Sequence, residues 1–64
     1  MKNYKITVRN FYSHETNEFT IPGESAQFAH KAGLSKTNAL YEDISEIHNE
    51  EGIRVYHILK GWNE

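Results

Sequence analysis

The sequence contains no cysteine, which excludes disulfide bonds, thiolate zinc sites and cysteine nucleophiles. It also lacks any apolar run that approaches the roughly 20 residues needed to span a bilayer. The first ten residues, MKNYKITVRN, have no apolar stretch of the kind found in a signal peptide. We therefore expect a soluble, cytoplasmic protein with no membrane partner.

Motifs for catalysis and for cofactor binding are also missing. There is no glycine-rich phosphate loop. Ser13, His14 and Glu15 are adjacent in the chain, so they cannot converge on one point as a catalytic triad does. His48 and His57 are predicted to face the core, where a histidine is more often a packed residue than a metal ligand. The sequence predicts no enzyme, no cofactor and no metal site.

The chain has 64 residues, which predicts one small domain spanning 1–64. A domain of this size buries only roughly 60% of the surface of its unfolded chain, so its stability is marginal. Self-association is a common remedy where disulfides are absent. We therefore expect a homodimer, or an accessory to a larger protein partner.

The N-terminal part has the pattern of a β-hairpin. Tyr4, Ile6 and Val8 alternate with polar residues, which is the period of a half-buried strand. The polar cluster SHETN is suited to a turn, and EFTI then resumes strand composition until Pro22. These signals predict a hairpin over residues 3–22.

The next segment, ESAQFAHKAG, predicts a short helix. Ser25 can cap its first turn through the side-chain hydroxyl. Gly33 suits the left-handed position that closes a helix, with Leu34 folding back as the apolar contact.

Residues from about 36 to 50 are ambiguous between helix and strand. A helix would place the apolar residues of this segment on one face. A strand over residues 39–48 would place Ile44 and Ile47 on opposite faces. We therefore interpret the segment as a second helix and keep the strand as the alternative.

The last segment, IRVYHILKGW, predicts a strand whose Ile53, Val55, His57 and Leu59 face the helices. The fold class is therefore α+β, a small antiparallel sheet of the hairpin and the C-terminal strand with two short helices on one face. The element order is ββααβ, with ββαββ as the alternative.

This arrangement leaves one face of the sheet open, with basic, aromatic and apolar side chains on it. Exposed apolar residues among charges are typical of protein interfaces, where Tyr, Trp and Arg are frequent anchors. Strand aromatics with nearby cations can also stack the bases of a nucleic acid. The residues of this predicted face are Lys5, Arg9, Phe11, Arg54, Tyr56, Ile58, Lys60 and Trp62.

A second candidate surface is acidic. Residues 37–64 carry two Lys or Arg and six Asp or Glu, a net charge of −4. The outer side of the proposed second helix would carry four of these acids, either as a solubilising face or as a docking strip for a basic partner. They are Glu42, Asp43, Glu46 and Glu50.

The stretch FAHKAGLSKTNAL resembles the helix-turn-helix family, with Ala29 inside the first helix, Gly33 at the turn and Ser35 opening the second helix. The resemblance implies a winged-helix DNA-binding regulator that would contact bases through Lys36, Thr37 and Asn38. The acidic residues that follow oppose phosphate contact, so nucleic acid is the less favoured partner.

The function we predict is therefore a non-catalytic protein-binding module. A small, cysteine-free chain with polarised charge fits a regulator or inhibitor that occupies a partner's surface, of the kind that phages and mobile elements encode. The alternative is the winged helix-turn-helix regulator.

Overall fold

A computed structural model describes residues 2–62, which form one antiparallel sheet covered on one face by a helix. The elements are β1 Lys2–Asn10, β2 Thr16–Gly23, α1 Ala26–Leu34, β3 Glu42–His48, β4 Arg54–His57 and β5 Gly61–Trp62. The order of the five strands in the sheet is β2-β1-β3-β4-β5. The α+β class is confirmed, but the described chain has one helix, so the order along the chain is ββαβββ.

The predicted hairpin is confirmed as β1 and β2. Tyr4 pairs with Ile21, and Ile6 pairs with Phe19, so apolar side chains of both strands share the face that α1 covers. The turn is closed by the Asn10 side chain, whose carbonyl accepts hydrogen bonds from the N–H groups of the residues two and three positions later. Such side-chain turns fix the direction in which a hairpin reverses.

The first predicted helix is confirmed as α1. The Ser25 hydroxyl accepts a hydrogen bond from Phe28 N at 3.2 Å, which caps the first turn. Gly33 does not close the helix in a left-handed conformation as expected; it is a buried helical residue. A Cβ atom at Gly33 would lie 3.0 Å from Ile44 Cδ1, so glycine here lets the helix approach the sheet closely.

The predicted second helix is wrong. Residues 35–41 form turns, and β3 occupies 42–48, as the strand alternative expected. The objection to a strand was the spacing of Ile44 and Ile47, and a β-bulge removes it. Thr7 pairs with Glu46 but Val8 pairs with Ile44, so Ser45 is an extra residue in β3. Because the bulge resets the alternation, both isoleucines face α1.

A second bulge interrupts the pairing of β3 with β4. Ile47 pairs with Tyr56 while His48 pairs with Arg54, which leaves Val55 as the extra residue. Val55 and Tyr56 therefore both pack on the α1 side. The simple alternation predicted for this strand holds for neither Tyr56 nor His57, and His57 pairs with Glu46 on the opposite face.

The core lies between α1 and the sheet. Ile6, Ile44 and Ile47 are fully buried at its centre. Truncating a buried isoleucine of this kind to alanine typically costs about 2–5 kcal/mol. Ile53 and Leu59 were predicted to join the core but are exposed, because they lie just before and just after β4 rather than within it. The other buried apolar residues are Tyr4, Val8, Ile21, Ala26, Ala29 and Val55.

Candidate protein-binding surface

Three loops meet at one end of the sheet and carry most of the exposed apolar side chains. β1 ends and β3 begins at this end of the sheet, since Asn10 pairs with Glu42. β4 runs toward the same end, and its last residue, His57, pairs with Glu46, four residues into β3. The loops are therefore 11–15, 35–41 and 58–60, and α1 also ends here. We call the exposed apolar residues of this region the apolar end: Phe11, Tyr12, Leu34, Leu40, Tyr41, Ile58 and Leu59.

Hydrogen bonds hold these loops in place while their side chains remain in solvent. Phe11 N donates to Tyr41 O at 2.8 Å, which joins the first loop to the second. Leu40 N donates to Asn38 Oδ1 at 3.1 Å, and Leu59 N donates to the His57 ring at 3.1 Å. The side chains at the tips of these loops are nonetheless exposed to solvent. Leu40 is 84% exposed and Leu59 is 87% exposed.

A groove of about 650 Å³ leads from the apolar end across the face of the sheet that α1 does not cover. We call it the helix-free groove. Its rim is apolar where Phe11, Ile58 and Leu59 border it. Its floor is polar and charged and is formed by alternate residues of β1 and β2 and by residues of β3 on both sides of the first bulge. The lining is completed by Thr7, Arg9, His14, Thr16, Glu18, Asp43, Ser45, Glu46 and His57.

The floor of the helix-free groove has more acidic than basic groups. Its lining contains Arg9, Glu18, Asp43 and Glu46, a formal net charge of −2 that the ion pairs of Glu18 with Lys5 and of Glu46 with Arg54 partly offset. Glu18 is 3.7 Å from Lys5 Nζ at the groove's margin.

The other acids are also anchored. Glu46 forms a shorter ion pair than Glu18 does, and it accepts a hydrogen bond from Arg54 Nη1 at 3.2 Å. Asp43 accepts a hydrogen bond from Ile44 N at 2.8 Å. These partners fix where the carboxylates point and leave most of their oxygens able to accept further bonds.

The residues of the predicted open sheet face do not share one face, although four of them line a small pocket beside β4 and β5: Arg54, Tyr56, Lys60 and Trp62. Lys5, Arg9 and Arg54 lie on the helix-free side, as predicted, and Phe11 and Ile58 border its groove. Lys60 is exposed in the turn between β4 and β5.

Tyr56 and Trp62 lie on the opposite side, against α1. The rings of Tyr56 and Trp62 are 4.9 and 5.5 Å from the ring of His30, which belongs to α1. They therefore bind the helix to the end of the sheet. Burial raises the pKa of the Tyr56 hydroxyl, and the Asp43 carboxylate raises it further.

The predicted acidic strip is dispersed because its helix does not form. Asp43 and Glu46 line the helix-free groove. Glu42 accepts a hydrogen bond from Asn38 N at 3.0 Å, near the apolar end. Glu50 lies at the opposite end of the sheet, where it accepts a hydrogen bond from Asn3 N at 2.7 Å. The four carboxylates therefore form no single docking surface.

The residues predicted to read DNA lie in the loop that follows α1. Thr37 Oγ1 donates to Leu34 O at 2.9 Å, and Asn38 uses its side-chain carbonyl to hold Leu40 N. Lys36 is exposed in the same turn. The recognition helix of a helix-turn-helix is therefore absent from the described residues, and these three side chains are not arranged along a helix.

Several residues of the apolar end were assigned elsewhere from the sequence. Leu34 and Leu59 were expected to pack inward, and Leu40 and Tyr41 were placed on the buried stripe of the second helix. A turn signal was present, since Asn38 immediately precedes Ala39, Leu40 and Tyr41 and asparagine commonly closes turns with its side chain. This turn signal predicts a loop at Leu40, in conflict with the helical spacing of the apolar residues that follow.

Among the described residues, no helix combines the length and apolar character that crossing a membrane requires. Residues 2–62 also contain no group of three or more His, Asp or Glu placed to hold a metal ion. Comparison of the chain with protein-family models, with curated proteins and with solved structures found no match.

Proposed function

We propose that this chain is a non-catalytic protein-binding module that occupies a partner's surface with its apolar end and helix-free groove. One observation carries the proposal: six large apolar side chains on three loops, and a seventh at the end of α1, are exposed at one end of a small domain. Exposed apolar clusters are normally confined to interaction sites, because they lower solubility elsewhere. A small regulator or inhibitor is the role that such a surface suits.

The groove defines the chemistry of the partner segment. Its rim would take apolar side chains from the partner, while the residues that line it have a formal net charge of −2, which Lys5 and Arg54 partly offset. A segment with lysine or arginine between apolar residues would match both features. Complementary charge of this kind directs encounter and fixes register more than it adds affinity.

The same charge disfavours nucleic acid as the partner. Binding to DNA depends on cations that neutralise phosphates, and three carboxylates in the groove lining oppose that contact. Binding to a DNA duplex that falls steeply with added salt would contradict the proposal and support the regulator alternative.

The test is partner capture from lysate of the source cell with tagged chains that differ at single exposed residues. Leu40→Asp and Leu59→Asp place a charge in the centre of the apolar end, where 84% and 87% exposure of the native side chains leaves the fold unaffected. Loss of a central apolar anchor typically costs at least about 2 kcal/mol of binding energy, a roughly thirtyfold weaker complex.

Ile53→Asp is the matched control, since Ile53 is 54% exposed at the opposite end of the sheet. The proposal expects the same partner with the native chain and with Ile53→Asp, and its loss with both loop variants. Retention of that partner by Leu40→Asp and Leu59→Asp would exclude the apolar end as the binding surface.

A further inference from the structure

Strand β2 is one edge of the sheet, and its pairing with β1 shows which of its backbone groups are free. Asn10 N donates to Glu15 O across the hairpin turn at 2.9 Å. Asn3 N points the other way and donates to Glu50, in the turn that follows β3. Since backbone groups alternate sides along a strand, even-numbered residues of β1 bond to β2 and odd-numbered residues bond to β3.

The free groups of β2 follow from this alternation. Odd-numbered residues of β1 pair with Thr16, Glu18, Thr20 and Pro22. The backbone N–H and C=O groups of these four residues therefore point away from the sheet. Pro22 has no N–H, so three donors and four acceptors lie along the edge. Proline in such an outward position limits pairing at one end of an edge strand but leaves the rest open.

We propose that this edge binds a second copy of the chain, with β2 pairing antiparallel to β2 of that copy about a two-fold axis at Phe19. Glu18 of one copy then lies opposite Thr20 of the other, and each such pair exchanges both backbone hydrogen bonds. The contact is self-complementary, as a two-fold dimer requires. It joins the two sheets into one.

The sequence of β2 selects this register over its neighbours. An axis at Glu18 would set the two Glu18 carboxylates directly opposite each other, which is destabilising. An axis at Thr20 would set Glu18 opposite Pro22, which has no N–H to donate. Shifts further toward either end shorten the overlap of the two strands. The axis at Phe19 also loses a donor, because Pro22 then lies opposite Thr16, but it keeps both Glu18–Thr20 pairs fully hydrogen-bonded and separates the two Glu18 carboxylates.

Side chains on the α1 side also favour a second copy. Phe19 is only partly buried, and the two-fold axis brings the Phe19 rings of both copies together. Facing aromatic pairs of neighbouring strands are among the more stabilising side-chain contacts of a sheet. Phe28 covers the end of the same strand, since its Cδ1 would lie 2.8 Å from a Cβ at Gly23, and it is 52% exposed.

This contact leaves the apolar end available, but Thr16 and Glu18 of β2 also line the helix-free groove. The apolar end is formed by the loops 11–15, 35–41 and 58–60 and the end of α1, while the dimer contact uses the outer backbone of β2. The tests of the two proposals change different residues, loop residues in one and β2 residues in the other, so either proposal can fail without the other.

The test is sedimentation equilibrium of purified chains over a wide concentration range. Thr20→Glu places a carboxylate opposite Glu18 of the second copy, and the contact occurs twice. We expect the dimer dissociation constant to rise by roughly tenfold. Within its own chain residue 20 pairs with Lys5, so the substitution does not harm the hairpin.

Three further variants separate register from other causes. Glu18→Lys combined with Thr20→Glu sets opposite charges across the axis and is expected to restore or strengthen the dimer. Thr20→Val keeps the backbone donor and adds no charge, and Ser35→Glu adds the same charge in a loop away from the edge. Both are expected to leave the dissociation constant unchanged.

Two controls separate loss of the dimer from loss of the fold. Circular dichroism reports whether each variant is folded. The double variant contains the same Thr20→Glu change as the single one, so a restored dimer shows that this change does not unfold the chain. A chain that stays monomeric up to about 1 mM, or a dimer that Thr20→Glu does not weaken, overturns the edge contact. A weakened dimer that the charge exchange does not restore overturns the Phe19 register.

Discussion

At the scale of single residues, Tyr56 shows how position and protonation are linked. Its ring lies 4.7 Å from Trp62 and packs with His30 of α1, so the phenol is partly removed from water. Burial raises its pKa above the usual value near 10, and the Asp43 carboxylate acts in the same direction. The neutral phenol is therefore favoured in the folded chain.

We predict that Tyr56 makes the stability of the domain fall at alkaline pH. Since the pKa of Tyr56 is raised on folding, its contribution to the free energy of unfolding is complete below pH 10 and is lost as pH rises through the folded-state pKa. Tyr56→Phe should remove this part of the pH dependence. Denaturant unfolding at pH 8 and above pH 10, for both chains, measures it. An equal loss in the two chains would contradict the assignment.

At the scale of elements, the two bulges explain which parts of the fold follow from the sequence. β1, β2 and α1 have uninterrupted periods and clear caps, and they were predictable. β3 was mistaken for a helix because Ile44 and Ile47 are three residues apart, a helical spacing that the bulge at Ser45 reproduces in a strand. A bulge depends on pairing with another strand, so the local sequence pattern of one strand does not predict it.

The candidate site was predictable only in part, for the same reason. Lys5, Arg9 and Arg54 were placed on the helix-free face because the alternation that positions them is regular up to the bulges. Tyr56 was placed there wrongly, since the bulge at Val55 turns it toward α1. Leu40 and Leu59 could not be assigned to an exposed end until the topology had brought their loops together.

We predict that deleting Ser45 leaves a folded protein. Without it, Ile44, Glu46 and Ile47 alternate regularly and keep their present partners in β1. The deletion loses the hydrogen bond from Ile58 N to Ser45 O and the bond from Ser45 Oγ to Thr7 O. We expect a loss of about 1–3 kcal/mol in the free energy of unfolding, measured by urea denaturation.

Deleting Thr7 is the matched control for that experiment. No bulge lies at this point of β1, so the deletion moves Val8 from the buried face to the open face. We expect no cooperative unfolding transition. Equal effects of the two deletions would show that Ser45 is not an extra residue in the ladder.

At the scale of the whole molecule, the single helix divides the sheet into two unlike faces. The α1 side holds the core, and the Tyr56, Trp62 and His30 rings extend the helix contact to the last strands. The other side carries ion pairs and a groove that opens toward the apolar end. A domain of 64 residues has a small surface, so a cluster of exposed apolar side chains is a large part of it. This difference between the two faces and the apolar end is the main physical reason to expect a binding role.

Site-specific photo-crosslinking in the source cell tests that argument most directly. A benzophenone side chain replaces Leu59 in the apolar end, Lys31 on the exposed side of α1, or Ile53 at the opposite end of the sheet. We predict a discrete protein adduct from position 59 and none from positions 31 and 53. Adducts from position 31 or 53 with none from position 59 would contradict the central claim that this protein binds its partner through the apolar end.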